Sequence, residues 1–72
     1  KHLTQFFVEY YPAHQKRAGA DPRRLPQLLV ENGFSLYHMN DRTRALEAVD
    51  PNMAYERASS LGLINILAKR GC

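Results

Sequence analysis

The chain has 72 residues, a formal net charge of +3 and a single cysteine. At about 60 residues a domain buries only roughly 60% of its unfolded surface, so this length allows at most one small domain of marginal stability. One cysteine, Cys72, excludes an internal disulfide framework. His2, His14 and His38 lie far apart with no second cysteine, which argues against a zinc site.

The first residue is Lys1 rather than Met, so the sequence is expected to be a processed or excised piece. Its start carries no small-residue cleavage site of the signal-peptide kind. No apolar run reaches the roughly 18 residues needed to cross a bilayer, and no membrane contact is expected. The basic residues come in scattered pairs, Lys16 and Arg17, Arg23 and Arg24, Arg42 and Arg44, Lys69 and Arg70. Spread in this way they read as solvated surface rather than as a nucleic-acid footprint.

Residues 4–10 are rich in β-branched and aromatic types and predict a strand. Phe6 and Val8 point to one side, Phe7 and Glu9 to the other, an apolar pattern on both sides that suits a covered strand. Pro12 has no N–H to give a ladder and ends it. Residues 13–20 are polar and hold a loose helical turn at most. Asp21 and Pro22 offer an N-cap and a first helical residue, with a turn at 21–24 and a helix from near Pro26 as the alternative. Leu25, Leu28 and Leu29 make an apolar stripe at helical spacing, and Asn32-Gly33 stops the helix. Residues 34–39 predict the second strand.

Residues 40–60 read as a long polar insertion. Arg42 to Val49 are helix-compatible. Asp50-Pro51 is a second N-cap and N1 pair, opening a short helical turn through about Arg57, and residues 58–60 read as loop. An insertion of this kind often carries function. Residues 61–68 predict the last and most apolar strand, with Asn65 its one polar member and Lys69, Arg70 and Gly71 ending it in solvent.

A strand-helix-strand order of this length predicts a right-handed crossover that sets the first two strands parallel. The last strand then returns antiparallel between them. The fold class expected is α/β: a split β-α-β unit with a three-stranded mixed sheet, spatial order first-last-second, under one main covering helix. One helix covers one face. Each large apolar side chain left wet forfeits roughly 1.5 to 3 kcal/mol, and five or six of them match on the order of a whole domain's stability. Residues 1–72 are therefore expected to be one C-terminal segment of a single larger domain, with no internal boundary.

The words Gln-Phe-Phe-Val-Glu-Tyr-Tyr-Pro, Gly-Ala-Asp-Pro-Arg-Arg-Leu, Leu-Leu-Val-Glu-Asn-Gly-Phe-Ser-Leu-Tyr and Leu-Ile-Asn-Ile-Leu-Ala-Lys-Arg together resemble the C-terminal third of FkbM-type methyltransferases, from about Thr4 to Arg70. The resemblance implies a Rossmann-like fold and S-adenosylmethionine as cofactor of the complete parent. In that fold the fifth strand leads through a helix to the sixth, and an antiparallel seventh inserts between them. The family's glycine-rich cofactor turn has no counterpart, since glycines 19, 33, 62 and 71 stand singly. The acidic residue after its second strand and the acidic motif of its fourth have no counterpart either. No cofactor-binding residue and no metal ligand is therefore assigned, and the chain alone is expected to bind no cofactor. The Val8-Glu9 pair and the Asn65-containing strand carry over.

In an open α/β sheet, ligands sit beyond the carboxyl ends of the parallel strands. Glu9, Tyr10, Tyr11 and His14 occupy that end of the first strand. Glu9 is the candidate catalytic base, and Tyr10, Tyr11 and His14 are the candidate substrate-binding residues. His38 and Asn40, at the end of the second strand, fit surface roles better, and Asn65 fits a structural hydrogen bond. Cys72 lacks an activating neighbour beyond Lys69 and Arg70 and reads as inert. Expected partners are the remainder of the domain and a small-molecule acceptor, in the cytoplasm. The alternative is a small basic binding module for RNA, using aromatics on a sheet. Against it, Phe6, Phe7 and Phe34 lie in strands that read as covered, so nucleic acid is disfavoured.

Overall fold

The computed structural model describes residues 4–70, which run β1 (Thr4–Tyr10), α1 (Pro12–Arg17), α2 (Arg24–Glu31), β2 (Ser35–Met39), β3 (Leu46–Val49), α3 (Pro51–Leu61) and β4 (Ile64–Arg70). The readings placed on His2 and Cys72 lie outside the described residues.

The strands form one sheet in the order β1-β4-β2-β3. β4 pairs antiparallel with β1 on one side and with β2 on the other, so β1 and β2 run parallel with β4 between them. This is the first-last-second order expected. Three features of the expectation are corrected. The sheet has four strands rather than three. Every hydrogen-bonded neighbour is antiparallel rather than mixed, because the two parallel strands never touch. Among the described residues there are three helices rather than one main covering helix.

The fourth strand arises from turn chemistry at residues 40–45. Asn40 Oδ1 accepts hydrogen bonds from the backbone N–H groups of Arg42 (2.8 Å) and Thr43 (3.1 Å), and Thr43 Oγ1 accepts from Ala45 N–H (3.2 Å). Short polar side chains that bond the backbone locally compete with helix formation. Here they reverse the chain and set Leu46–Val49 against β2, so the helix-compatible reading of 42–49 fails.

α3 begins as its sequence predicts. Asp50 Oδ1 accepts from Met53 N–H at 2.8 Å and Pro51 opens the first turn. It runs past Arg57 to Leu61, through the residues 58–60 read as loop. Ala54 and Ala58, one turn apart, are both fully buried in the core cluster, so this packing holds the second half of the helix. Gly62, at φ 91°, then ends it. α2 follows the alternative with a turn first. Asp21 Oδ1 accepts from Arg23 N–H (3.0 Å), and Pro26 is the third helical residue, where no intrahelical acceptor is lost. At its far end the Arg70 guanidinium donates to the Asn32 carbonyl (3.2 Å) and lies 4.8 Å over the Phe34 ring.

The alternation of side chains divides the sheet. Val8, Tyr10, Leu36, Val49, Ile64, Ile66 and Ala68 share one face, and most of them form the core with Ala54 and Ala58. The opposite face carries Phe7, Leu67, Tyr37 and Ala48 as one in-register row, with Glu9, Asn65, Met39 and Leu46 as the next. Phe7 is 61% exposed and Leu46 50%. The first strand is thus covered on one side only, not on both.

This two-sidedness fixes an expected contrast. Ile66→Ala should cost about 2–5 kcal/mol in urea unfolding, through lost burial and a cavity. Phe7→Ala should stay within about 0.5 kcal/mol. Equal costs would show that the two faces are wrongly assigned.

Candidate functional site

β1 delivers four candidate residues to its carboxyl end but sends them in different directions. Glu9 is exposed on the open face, opposite Asn65 on β4. Tyr10, its neighbour, points the other way and is fully buried. Its hydroxyl donates to the Pro22 carbonyl, which ties β1 to the turn before α2. In this structure Tyr10 is a core residue with no surface to offer a ligand. Tyr11 is half-exposed at the N-cap of α1, and its ring stacks on His14 with centroids 6.0 Å apart. Glu9 therefore stands apart from the Tyr11–His14 pair, and no cavity gathers the four.

A groove of about 200 Å³ does open at this end of the sheet, between α1 and α3. Pro12, Ala13, Lys16, Pro22, Tyr55, Ala58, Ser59 and Gly62 line it. Helical spacing explains the choice: 12, 13 and 16 share one side of α1, while His14 falls on the other. On α3, residues 55, 58 and 59 share a side in the same way. The sequence held this signal in the paired spacings 12/16 and 55/59, but residues 58–60 read as loop, which hid the second one. Arg23 places its guanidinium 4.7 Å from the centre of the Tyr55 ring.

Two polar clusters complete the surface at the other strand ends. Arg57 of α3 holds Glu47 of β3 through two hydrogen bonds, 2.7 and 2.8 Å, and lies 3.1 Å from His38 Nδ1 on β2. Because a guanidinium only donates, Nδ1 is the acceptor there. The cluster pins α3 to the β2–β3 hairpin. Asn65 Nδ2 donates to Asp41 Oδ1 at 2.8 Å, the structural hydrogen bond its position suggests. Asn40 builds the turn. Among the described residues, no three His, Cys, Asp or Glu side chains gather as a metal site, and no helix is long and apolar enough to cross a membrane.

Three groups titrate away from their ordinary values, Tyr10, Glu47 and Arg57, the last raised by its hydrogen bonds to Glu47. Burial pushes the Tyr10 phenol up from 10.0 to about 12, helped by the nearby Tyr55 and Asp21 and opposed by Arg23. The hydrogen bonds from Arg57 hold the Glu47 carboxyl below its usual value. A raised phenol stabilises the fold fully below the unfolded value, and the contribution is lost as pH rises through the folded one. Tyr10 should therefore ionise late, near pH 12, in an absorbance titration, and Tyr10→Phe should remove that late phase. For Glu47 the sign is opposite: its contribution is present above the ordinary 4.5 and fades as pH falls through the lowered value. Arg57→Ala should return Glu47 toward 4.5, as read by side-chain carboxyl NMR shifts.

Comparison with protein-family models, with curated proteins and with solved structures finds no match to this chain.

Proposed function

We propose that the chain is the closing segment of a Rossmann-like, S-adenosylmethionine-dependent methyltransferase of FkbM type, on the side of the domain that faces the methyl acceptor. One observation carries the reading: β4 inserts antiparallel between two parallel strands that a helical crossover joins. That is how the sheet of this enzyme class closes. The uncovered sheet face and the free edge of β1 support it, since both are surfaces that further strands and helices of such a domain occupy. The β2–β3 hairpin is an addition to the pattern.

The residues present do not fit the cofactor. Gly19, Gly33 and Gly62 each stand alone just past a helix, with no glycine-rich turn between a strand and a helix. The cofactor site therefore belongs to the remainder of the proposed domain, and the segment alone is inactive. Its own contribution is to the acceptor. Glu9, exposed at the carboxyl end of β1, takes the proton of an acceptor hydroxyl or amine, and the stacked Tyr11–His14 pair, apart from it, binds a more distant part of the substrate. Positioning supplies most of the remaining rate. The cytoplasm is the location that goes with this reading.

The open reading frame that contains this chain should encode, upstream, a strand followed by a glycine-rich turn. Its full product should bind S-adenosylmethionine in calorimetry. Glu9→Gln in that product should lower turnover on the order of a hundredfold or more with cofactor affinity unchanged. A product that binds no S-adenosylmethionine overturns the reading.

A second reading has one observation in its favour. Phe7 lies 61% exposed on the open face, in register with Leu67 and Tyr37 and beside Lys69, so the covering assumed for its strand is absent. Aromatics on an open sheet stack bases in single-stranded RNA modules. This reading requires salt-sensitive binding of an oligonucleotide by the chain, lost in Phe7→Ala.

A further inference from the structure

The groove between α1 and α3 has a definite chemistry. Its floor is apolar, from Pro12, Pro22 and Ala58, and its rim carries Lys16, Tyr55 and Ser59. At about 200 Å³ it lies below the roughly 300 Å³ at which drug-sized sites begin, so it suits a single ring with one polar substituent. No acidic side chain lines it. Among the described residues, Lys16 and Arg23 make no ion pair with a carboxylate. Asp21, the acid adjacent to Pro22, accepts a hydrogen bond from the Arg23 N–H. The Ala58 carbonyl at the end of α3 is taken by the Gly62 N–H at 2.7 Å, which removes a competing acceptor from the wall.

We propose that this groove binds a small ring-bearing oxyanion, a carboxylate or a phosphate monoester. The ring lies on the proline and alanine floor, the charge meets the Lys16 ammonium, and the Ser59 hydroxyl donates to the anion. The groove lies on the helix side of the sheet and Glu9 on the opposite, open face, so this ligand is distinct from the acceptor whose proton Glu9 takes; the binding rests on the side chains of the groove alone.

The full chain is titrated with benzoate, phenyl phosphate and benzyl alcohol, and binding is followed by NMR. Both anions should move the Tyr55 ring and the Ser59 and Gly62 amide resonances, and the neutral alcohol should bind about fivefold more weakly, the worth of one exposed charge contact. The stronger of the two anions identifies carboxylate or phosphate as the group recognised. Lys16→Ala should remove the preference for the anions and leave the alcohol unchanged. Lys16→Glu should reverse it, favouring benzylammonium, a sign that misfolding cannot produce. Resonance shifts centred on Phe7 and Tyr37 instead, or an anion affinity that Lys16→Ala leaves intact, overturn the proposal. Failure of the parent product to bind S-adenosylmethionine would leave a positive result here standing.

Discussion

β4 is held on both edges by β1 and β2, while α2 and α3 pack on one side of the sheet it centres and α1 lies against α3. Ile64, Ile66 and Ala68 point into that side and carry the core, together with the two alanines of α3. Small side chains at 54 and 58 let the helix come close, and close approach maximises dispersion contacts with the strand beneath. The remaining features follow from this one-sidedness. The helices end in glycines where they leave the sheet, the Arg57–Glu47–His38 cluster clamps α3 at the hairpin, and Tyr10 anchors β1 to the turn before α2.

The same constraint decides which residues can meet a ligand. Successive positions of β1 face opposite ways, so Glu9 and Tyr10 cannot serve one site on one face. Glu9 looks onto the bare surface of the sheet and Tyr10 into the core. The helices supply the concavity instead, at the seam where α1 and α3 approach each other. A short helix and a longer one, both set down at the same end of the sheet, leave a notch with a cationic rim.

Much of the topology was legible because its signals were local and strong. The β-branched run of β1, the Asn32-Gly33 stop, the Asp50-Pro51 start and the greasy β4 each name an element by themselves. The crossover set the first and second strands parallel, and the apolar run of β4 on both faces put it between them. What escaped depended on contacts between distant residues. The second half of α3 is helical because Ala58 packs in the core, and nothing within 58–60 announces that. β3 needed the Asn40 turn to be weighed above the helix propensity of the residues after it. The candidate site was read as one strand end, since a groove built by two helices requires knowing that both exist.

The central position of β4 has a consequence for how the chain reaches this form. Its partner β1 comes from the opposite end of the described sequence, with Thr4 set against Arg70. During synthesis the edge of β1 that β4 takes must wait until the residues between the two strands have emerged from the ribosome. Pairings of such long sequence separation form slowly, and an edge left open meanwhile invites contact with other nascent chains. β4 is thus the keystone that joins β1 to the sheet, and loss of the final seven described residues would separate β1 from the other strands.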